Sequence, residues 1–361
     1  MTPSLLQRSI EIILANQHPS GAYLASPNFP TYHYSWFRDG TYIAYAMDLA
    51  GETESARQFH QWVAQTILRH EDTARRAAEK ARANQPLSPQ DVLHTRYTVT
   101  GEAAAEDWPN FQTDGFGAWL WGLSQHLEIS SAPLSGECER AARLIADYLA
   151  ALWQHPCYDC WEEFCDRVHA YTLAAIYGGL EACTRMGLAD YRSVTAAIRE
   201  KINTQLFNGA YFSKFIGTPL VDSSLLGLAV PYGVVDPQDA RMRATVAKIE
   251  QDLLHAGGIQ RYAEDTYYGG GEWVLLTAWW GWYWSLAGDQ EKARQAKAWI
   301  EAQANPLGWL PEQVPLHVNA PEHYQPWVQR WGTIANPLLW SQAMYIILDH
   351  HLRAGSRQPE S

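Results

Sequence analysis

Apolar residues recur at helical spacing in segment after segment of this chain, and the helices they define are of two kinds. Segments such as 53–69 and 289–303 ("DQEKARQAKAWIEAQ") carry a charged face and a narrow apolar stripe, whereas 114–129 and 272–287 are apolar or aromatic nearly all round. A helix of the first kind buries one side, and a helix of the second kind must be surrounded. Two concentric layers satisfy both. Clean alternating strand patterns are scarce, and helices are predicted near 4–17, 39–50, 53–69, 71–84, 114–129, 137–154, 168–186, 190–205, 236–255, 272–287, 289–303 and 335–353. About a dozen helices alternating between outer and inner positions make an all-α, (α/α)6 six-hairpin barrel, with loops at one end of the inner helices forming a pocket.

The stretch "RRAAEKARANQPLSPQD" is polar and loop-like from Asn84 onward, yet the sequence on either side of it is of the same kind. It reads as an excursion within one domain, because a linker between domains more often brings a change of composition. The expectation is a single domain over 1–361 with no separate carbohydrate-binding module.

Twenty-seven basic residues against 39 acidic ones give a formal charge of -12, the wrong sign for binding a nucleic-acid backbone. A neutral or cationic ligand suits the chain better. Among its 17 Trp and 19 Tyr, many lie in polar, Gly- and Pro-containing stretches such as "EDWPNFQTDG" and "QPWVQRWGT". Indoles beside carboxylates and amides suit sugars, whose C–H faces stack on rings while their hydroxyls need hydrogen-bond partners. The run "WVLLTAWWGWYWSLAG" (Trp273 to Gly288) is too short for a membrane span and reads as a buried helix lining an aromatic cavity. The first residues lack a basic region followed by a long apolar one, and five cysteines are an odd number. Both point to the cytoplasm and to reduced thiols.

Polar and aromatic residues concentrate in five loop segments: "YHYSWFRDG" (32–40), "DWPNFQTDG" (107–115), "CWEEF" (160–164), "RYAEDTYYGGGEW" (261–273) and "GWLPEQ" (308–313). All but the last lie just before or at the start of a predicted helix. Together with the "DSSLLGL" turn (222–228) and a closing "ANPLLWSQAMYI" (335–346), this ordered series resembles glycoside hydrolase family 15, the family of glucoamylases, glucodextranases and certain trehalases. The resemblance implies a six-hairpin α/α barrel and no cofactor. Carried over position by position, it implies Glu162 as general acid and Glu312 as general base, with Glu163 as a substrate-binding carboxylate beside the acid. Arg38 and Asp39 resemble the pair that grips the terminal glucose, Arg261 a further polar contact, and Tyr32, Trp36, Trp108, Trp161 and Trp273 the aromatic surroundings of the pocket.

Physical chemistry agrees with those roles. Inverting hydrolysis needs one carboxylic acid to protonate the leaving oxygen and one carboxylate to activate water on the opposite face, roughly 6.5–9.5 Å apart. Glu162 and Glu163 are adjacent in the chain, whereas Glu162 and Glu312 lie on separate loops, as opposing walls require. The indole of Trp161 and the charge of Glu163 are expected to keep Glu162 protonated, while Glu312, beside Gln313 in a looser loop, is expected to stay ionised.

"CYDCWEEFCDRVHAY" (157–171) also offers a metal reading through Cys157, Cys160, Cys165 and His169. A single CxxC without a second pair is a weak signature, so no metal is expected and the cysteines read as packing. Ala263 stands where starch-degrading fungal members place proline, and no polymer-binding module accompanies the barrel. Short α-gluco-oligosaccharides such as isomaltose are therefore the expected substrates, cleaved from the non-reducing end with release of β-glucose. An α-1,4 glucoamylase activity, a trehalase activity and a non-catalytic sugar-binding barrel remain as alternatives. The linkage is read by aglycone loops, 66–107 and 314–331 among them, whose geometry the sequence does not give.

Overall fold

The computed structural model describes residues 3–355, so the first two and last six positions of the expected 1–361 domain lie outside the described residues. Helices α1 (Leu5–Ala15), α2 (Phe37–Leu49), α3 (Thr53–Arg69), α4 (Glu71–Arg82), α5 (Asp114–Ser130), α6 (Gly136–Leu152), α7 (Ala170–Arg185), α8 (Arg192–Lys201), α9 (Ala240–Leu253), α10 (Val274–Ala287), α11 (Gln290–Gln303), α12 (Tyr324–Trp331) and α13 (Leu339–Gly355) account for most of it. Neighbour packing closes a ring: α2 lies on α5, α5 on α7, α7 on a 3-10 segment at Ser223–Leu228, that segment on α10, α10 on α13, and α13 back on α2. Around it stand α1, α3, α6, α8, α9 and α11, each against one or two inner elements. This is the expected two-layer all-α barrel.

Burial follows the two sequence patterns. From Val274 to Tyr283 every residue of α10 is buried, whereas α11 buries only Ala293, Ala296 and Ile300. Aromatic side chains of inner elements meet inside the barrel, where the buried Tyr42 ring lies 5.4 Å from that of Trp279. The Tyr42 hydroxyl lies 3.1 Å from that of Tyr232, and its ring stacks on Trp340 at 5.4 Å. Inner helices α5 and α7 meet where both carry glycine: a Cβ on Gly117 would sit 2.4 Å from the Ala175 carbonyl oxygen, and one on Gly179 2.5 Å from that of Gly117.

Three features depart from expectation. The fourth inner position is held by the 3-10 turn 223–228, too short to show a 3.6-residue period. The helix at 71–82 lies outside the alternation, packed on α6. Helix α12 was not expected at all, because Pro326 interrupts its pattern; the proline falls in the first turn, where the missing N–H has no intrahelical partner to lose. Most of "WVLLTAWWGWYWSLAG" is core, and only Trp273 and Leu275 of it border the main cavity. No helix among the described residues is long and apolar enough to cross a membrane.

Helix ends give the barrel its polarity. Outer helices α1, α6, α9 and α11 are capped by the side chains of Ser4, Ser135, Asp239 and Asp289. Inner helices α2, α5, α7 and α10 have no such side-chain cap, and neither do outer helices α3 and α8; the inner helices begin at the loops that hold the site, so the positive ends of their dipoles face it.

Candidate active site

Those loops surround a cavity of about 300 Å³, at the small end of the range for ligand sites. Every site residue expected from sequence lines it: Tyr32, Trp36, Arg38, Asp39, Trp108, Trp161, Glu162, Glu163, Arg261, Trp273 and Glu312.

Arg38 and Asp39 open α2 and are buried at its N-terminal end. The guanidinium donates to Gln112 and to Asp114, both at 3.0 Å, and its Nε lies 3.4 Å from Asp39. Burial pushes the Asp39 carboxyl up to about 6 against the pull of Arg38. Asp39 is thus a carboxylate beside a fixed cation, suited to gripping vicinal hydroxyls.

The loop 157–169 presents Glu162 and Glu163 through an unusual backbone. Glu162 and Phe164 both have positive φ, 68° and 51°, where residues with a Cβ are strained. Buried electrostatics hold this shape: Asp159 accepts from the amides of Trp161 and Glu163 at 2.9 Å, Lys214 pairs with Asp159 at 2.9 Å and with Asp222, and Asp222 accepts from the Trp161 indole at 3.0 Å. The "DSSLLGL" turn is therefore an anchor for the acid loop. Changing Lys214 to Met would strand two buried carboxylates, and is expected to cost about 3–5 kcal/mol in a denaturant titration. A loss below 1 kcal/mol would show that the loop is held by other contacts.

Glu162 itself accepts from the Trp36 indole at 2.8 Å and from the Gln112 amide at 3.0 Å. Trp161, expected beside Glu162 as part of the aromatic surroundings, does line the cavity and gives its N–H to Asp222. Glu163 likewise turns to its own partners, the Arg261 guanidinium at 3.4 Å and the Tyr262 hydroxyl. Arg261 also pairs with Asp265 and lies 5.1 Å from the Trp273 ring centre and 5.4 Å from that of Trp161.

Glu312 is set by a small antiparallel sheet in which Trp273 pairs with Gln313 and the Val274 amide donates to the Glu312 carbonyl at 3.3 Å. Gln313 bonds the Gly271 amide at 3.0 Å and the Tyr267 carbonyl at 3.1 Å. The glycine triple beside it is a packing device: a Cβ on Gly270, at φ 72°, would stand 2.3 Å from the Asp265 carbonyl oxygen. Glu312 is only 4% exposed, contrary to the looser loop expected. Burial pushes its carboxyl up to about 8, although Tyr32 donates to it at 3.0 Å and Arg261 lies nearby. Its second oxygen, Oε2, has no protein partner.

Tyr32 and Trp36 stand edge to face at 5.7 Å, one bonded to Glu312 and the other to Glu162. The two carboxyl groups are thereby held on different aromatic side chains of one cavity. Sequence reasoning missed Tyr267, whose hydroxyl lies 2.8 Å from that of Tyr32, and Gln112, although both lie in motifs that it used. Trp327, Arg330 and Trp331 of α12 border the cavity too, with the Trp108 and Trp331 rings 6.5 Å apart; their stretch "QPWVQRWGT" reads as suited to sugars, but the sequence reading did not name them as site residues.

The cysteines do not form a clasp. Cys157 and Cys160 are buried, Cys165 is exposed, and His169 Nε2 bonds the carbonyls of Cys157 and Phe164 at 3.0 Å each.

An α/α barrel with two carboxyl groups in an aromatic pocket at the N-terminal ends of its inner helices defines a class of protein, the glucoamylase-like glycoside hydrolases. A model of glycosyl hydrolases family 15 matches residues 2–304. An isomaltose glucohydrolase of Kribbella flavida is 39% identical over 357 residues, 96% of this chain and 92% of that protein. Solved structures of a glycosidase, one of them a variant in complex with glucose, are 38% identical, cover 97% of this chain and 96% of theirs, and superpose with a TM-score of 0.93. A bacterial glucoamylase complexed with acarbose shares the fold, at 20% identity and a TM-score of 0.77 over 98% of this chain and 56% of its own. The chain belongs to glycoside hydrolase family 15 and is a glycoside hydrolase.

Proposed function

We propose that this enzyme is an inverting, exo-acting α-glucoside hydrolase that releases β-D-glucose from the non-reducing end of short α-gluco-oligosaccharides, isomaltose and its oligomers first. The observation that carries this reading is the single cavity in which Glu162 and Glu312 are fixed by different donors, with Arg38 and Asp39 at the start of α2 to hold the terminal sugar. Its size and the α12 wall favour a short aglycone, and the name of the Kribbella flavida relative supports the α-1,6 linkage. All five cysteines are free thiols, which supports a cytoplasmic setting.

In this mechanism Glu162 protonates the glycosidic oxygen as the bond breaks. Glu312 takes a proton from water attacking the opposite face, and Arg38, Asp39, Glu163 and Arg261 hold the hydroxyls. A base with a pKa near the working pH combines a useful ionised fraction with high proton affinity. Because Glu312 must be ionised to act, kcat/KM is expected to rise with pH through a limb near 8. Tyr32→Phe removes a hydrogen bond that lowers this value, and is expected to move the limb to higher pH. A limb at ordinary carboxylate pH in both proteins would remove Glu312 from the base role.

Isomaltose, maltose and trehalose incubated in parallel, with the anomer of released glucose followed by proton NMR before mutarotation, test the whole reading. Initial β-glucose from isomaltose is expected. Initial α-glucose would mean retention and different carboxylate roles; preference for maltose or trehalose would reassign the linkage.

A further inference from the structure

Away from the pocket, three buried groups meet between helices α2, α3 and α5. Asp48 lies near the end of α2, His60 in the middle of α3 and His126 near the end of α5, and all three are at most 4% exposed. His126 Nδ1 is 2.9 Å and 3.1 Å from the two oxygens of Asp48. The His60 and His126 rings stand 5.1 Å apart at 36°. Both ring nitrogens of His60 are buried and have no hydrogen-bond partner. Nothing in the hydrolytic mechanism uses any of these residues.

An imidazole buried with both nitrogens unsatisfied is unfavourable by the full desolvation of a donor and an acceptor. A fold keeps such a group when something else binds it. Donor atoms of the three residues lie within 4.8 Å of one another, and among the described residues no other group of three or more His, Cys, Asp or Glu side chains does so. Two imidazoles and a carboxylate suit a zinc-class divalent ion. On a tetrahedral ion with bonds of about 2.0–2.1 Å, neighbouring ligand atoms are about 3.3 Å apart. The Asp48–His126 pair is already near that separation, so only the His60 ring has to turn inwards.

We infer that Asp48, His60 and His126 form a binding site for a zinc-class divalent cation, with a fourth position for water, which ties outer helix α3 to inner helices α2 and α5. The ion replaces the proton shared by His126 and Asp48 and gives a nitrogen of His60 a partner. Its role is structural: the ion stabilises the folded chain by binding it and not the unfolded one.

The test uses full-length protein stripped with a chelator and titrated with Co²⁺ and with Zn²⁺. One equivalent of Co²⁺ is expected to give visible d–d bands of four-coordinate intensity, displaced by Zn²⁺, and Zn²⁺ is expected to raise Tm. His60→Ala and the milder His60→Gln are expected to lose the bands and the Zn²⁺-dependent rise in Tm, while hydrolysis of substrate is retained. Absence of any stoichiometric binding to the wild-type protein would overturn the inference without recourse to a variant. Bands that survive in both His60 variants, or that vanish instead in Cys157→Ser or Cys160→Ser, would also overturn it by placing the ion elsewhere.

Discussion

Replacing Glu312 by Gln is expected to stop hydrolysis and at the same time make the protein harder to melt. The first effect follows from loss of the group that activates water, about 10²–10⁴-fold in kcat. The second follows from burial. Glu312 titrates near 8 in the folded protein, against about 4.3 in an unfolded chain. Between those values the folded state holds a proton that the unfolded state has released, so the stability associated with this group is full below about pH 4.3 and is lost as pH rises to about 8. The burden at pH 8 is on the order of a few kcal/mol. An uncharged amide of similar shape escapes it, so the Tm advantage of Glu312→Gln is expected to grow from pH 5 to pH 8. Melting curves at both pH values check this. An advantage that is absent or independent of pH would mean that Glu312 is solvated in the folded enzyme.

Glu162→Gln is expected to slow isomaltose hydrolysis by a similar factor, about 10²–10⁴, yet to leave hydrolysis of α-glucosyl fluoride far less affected. Fluoride departs without first taking a proton, so a substrate carrying it bypasses the acid but still needs the base. Glu312→Gln is expected to fail on both substrates. Fluoride hydrolysis preserved in the Glu312 variant and lost in the Glu162 variant would exchange the two roles. The Trp36 and Gln112 donors on Glu162 give a further handle, because Gln112 also accepts from Arg38 and so couples the acid to the residue proposed to grip the sugar.

Sequence and structure divided the work unevenly. The helices that face solvent on one side were readable, to the residue at 53–69 and within about four residues at 236–255, because charge on one face and a stripe on the other leave a period of 3.6. Helix α10 was readable for the opposite reason, since only a surrounded helix tolerates tryptophan on every side. The turn at 223–228 carried no period, yet it fills an inner position and, through Asp222, anchors the acid loop.

For the site, the ordered loop motifs carried a resemblance to glycoside hydrolase family 15, and all of the residues that this resemblance named do line the cavity. What it left undecided was the partner of each group. Trp161 is next to Glu162 in the chain, but its indole reaches Asp222, and the donors to Glu162 come from residues 36 and 112. The environment of Glu312 was likewise decided by packing: a loop that reads as polar is buried against Tyr32 and Tyr267, and that burial sets its proton affinity. The meeting of Asp48, His60 and His126 left no motif at all, for it depends on the side-by-side placement of three helices. Helical period and loop order are local properties that a sequence can carry. Desolvation and hydrogen-bond partnership depend on which distant segments pack together, and only the tertiary structure decides them.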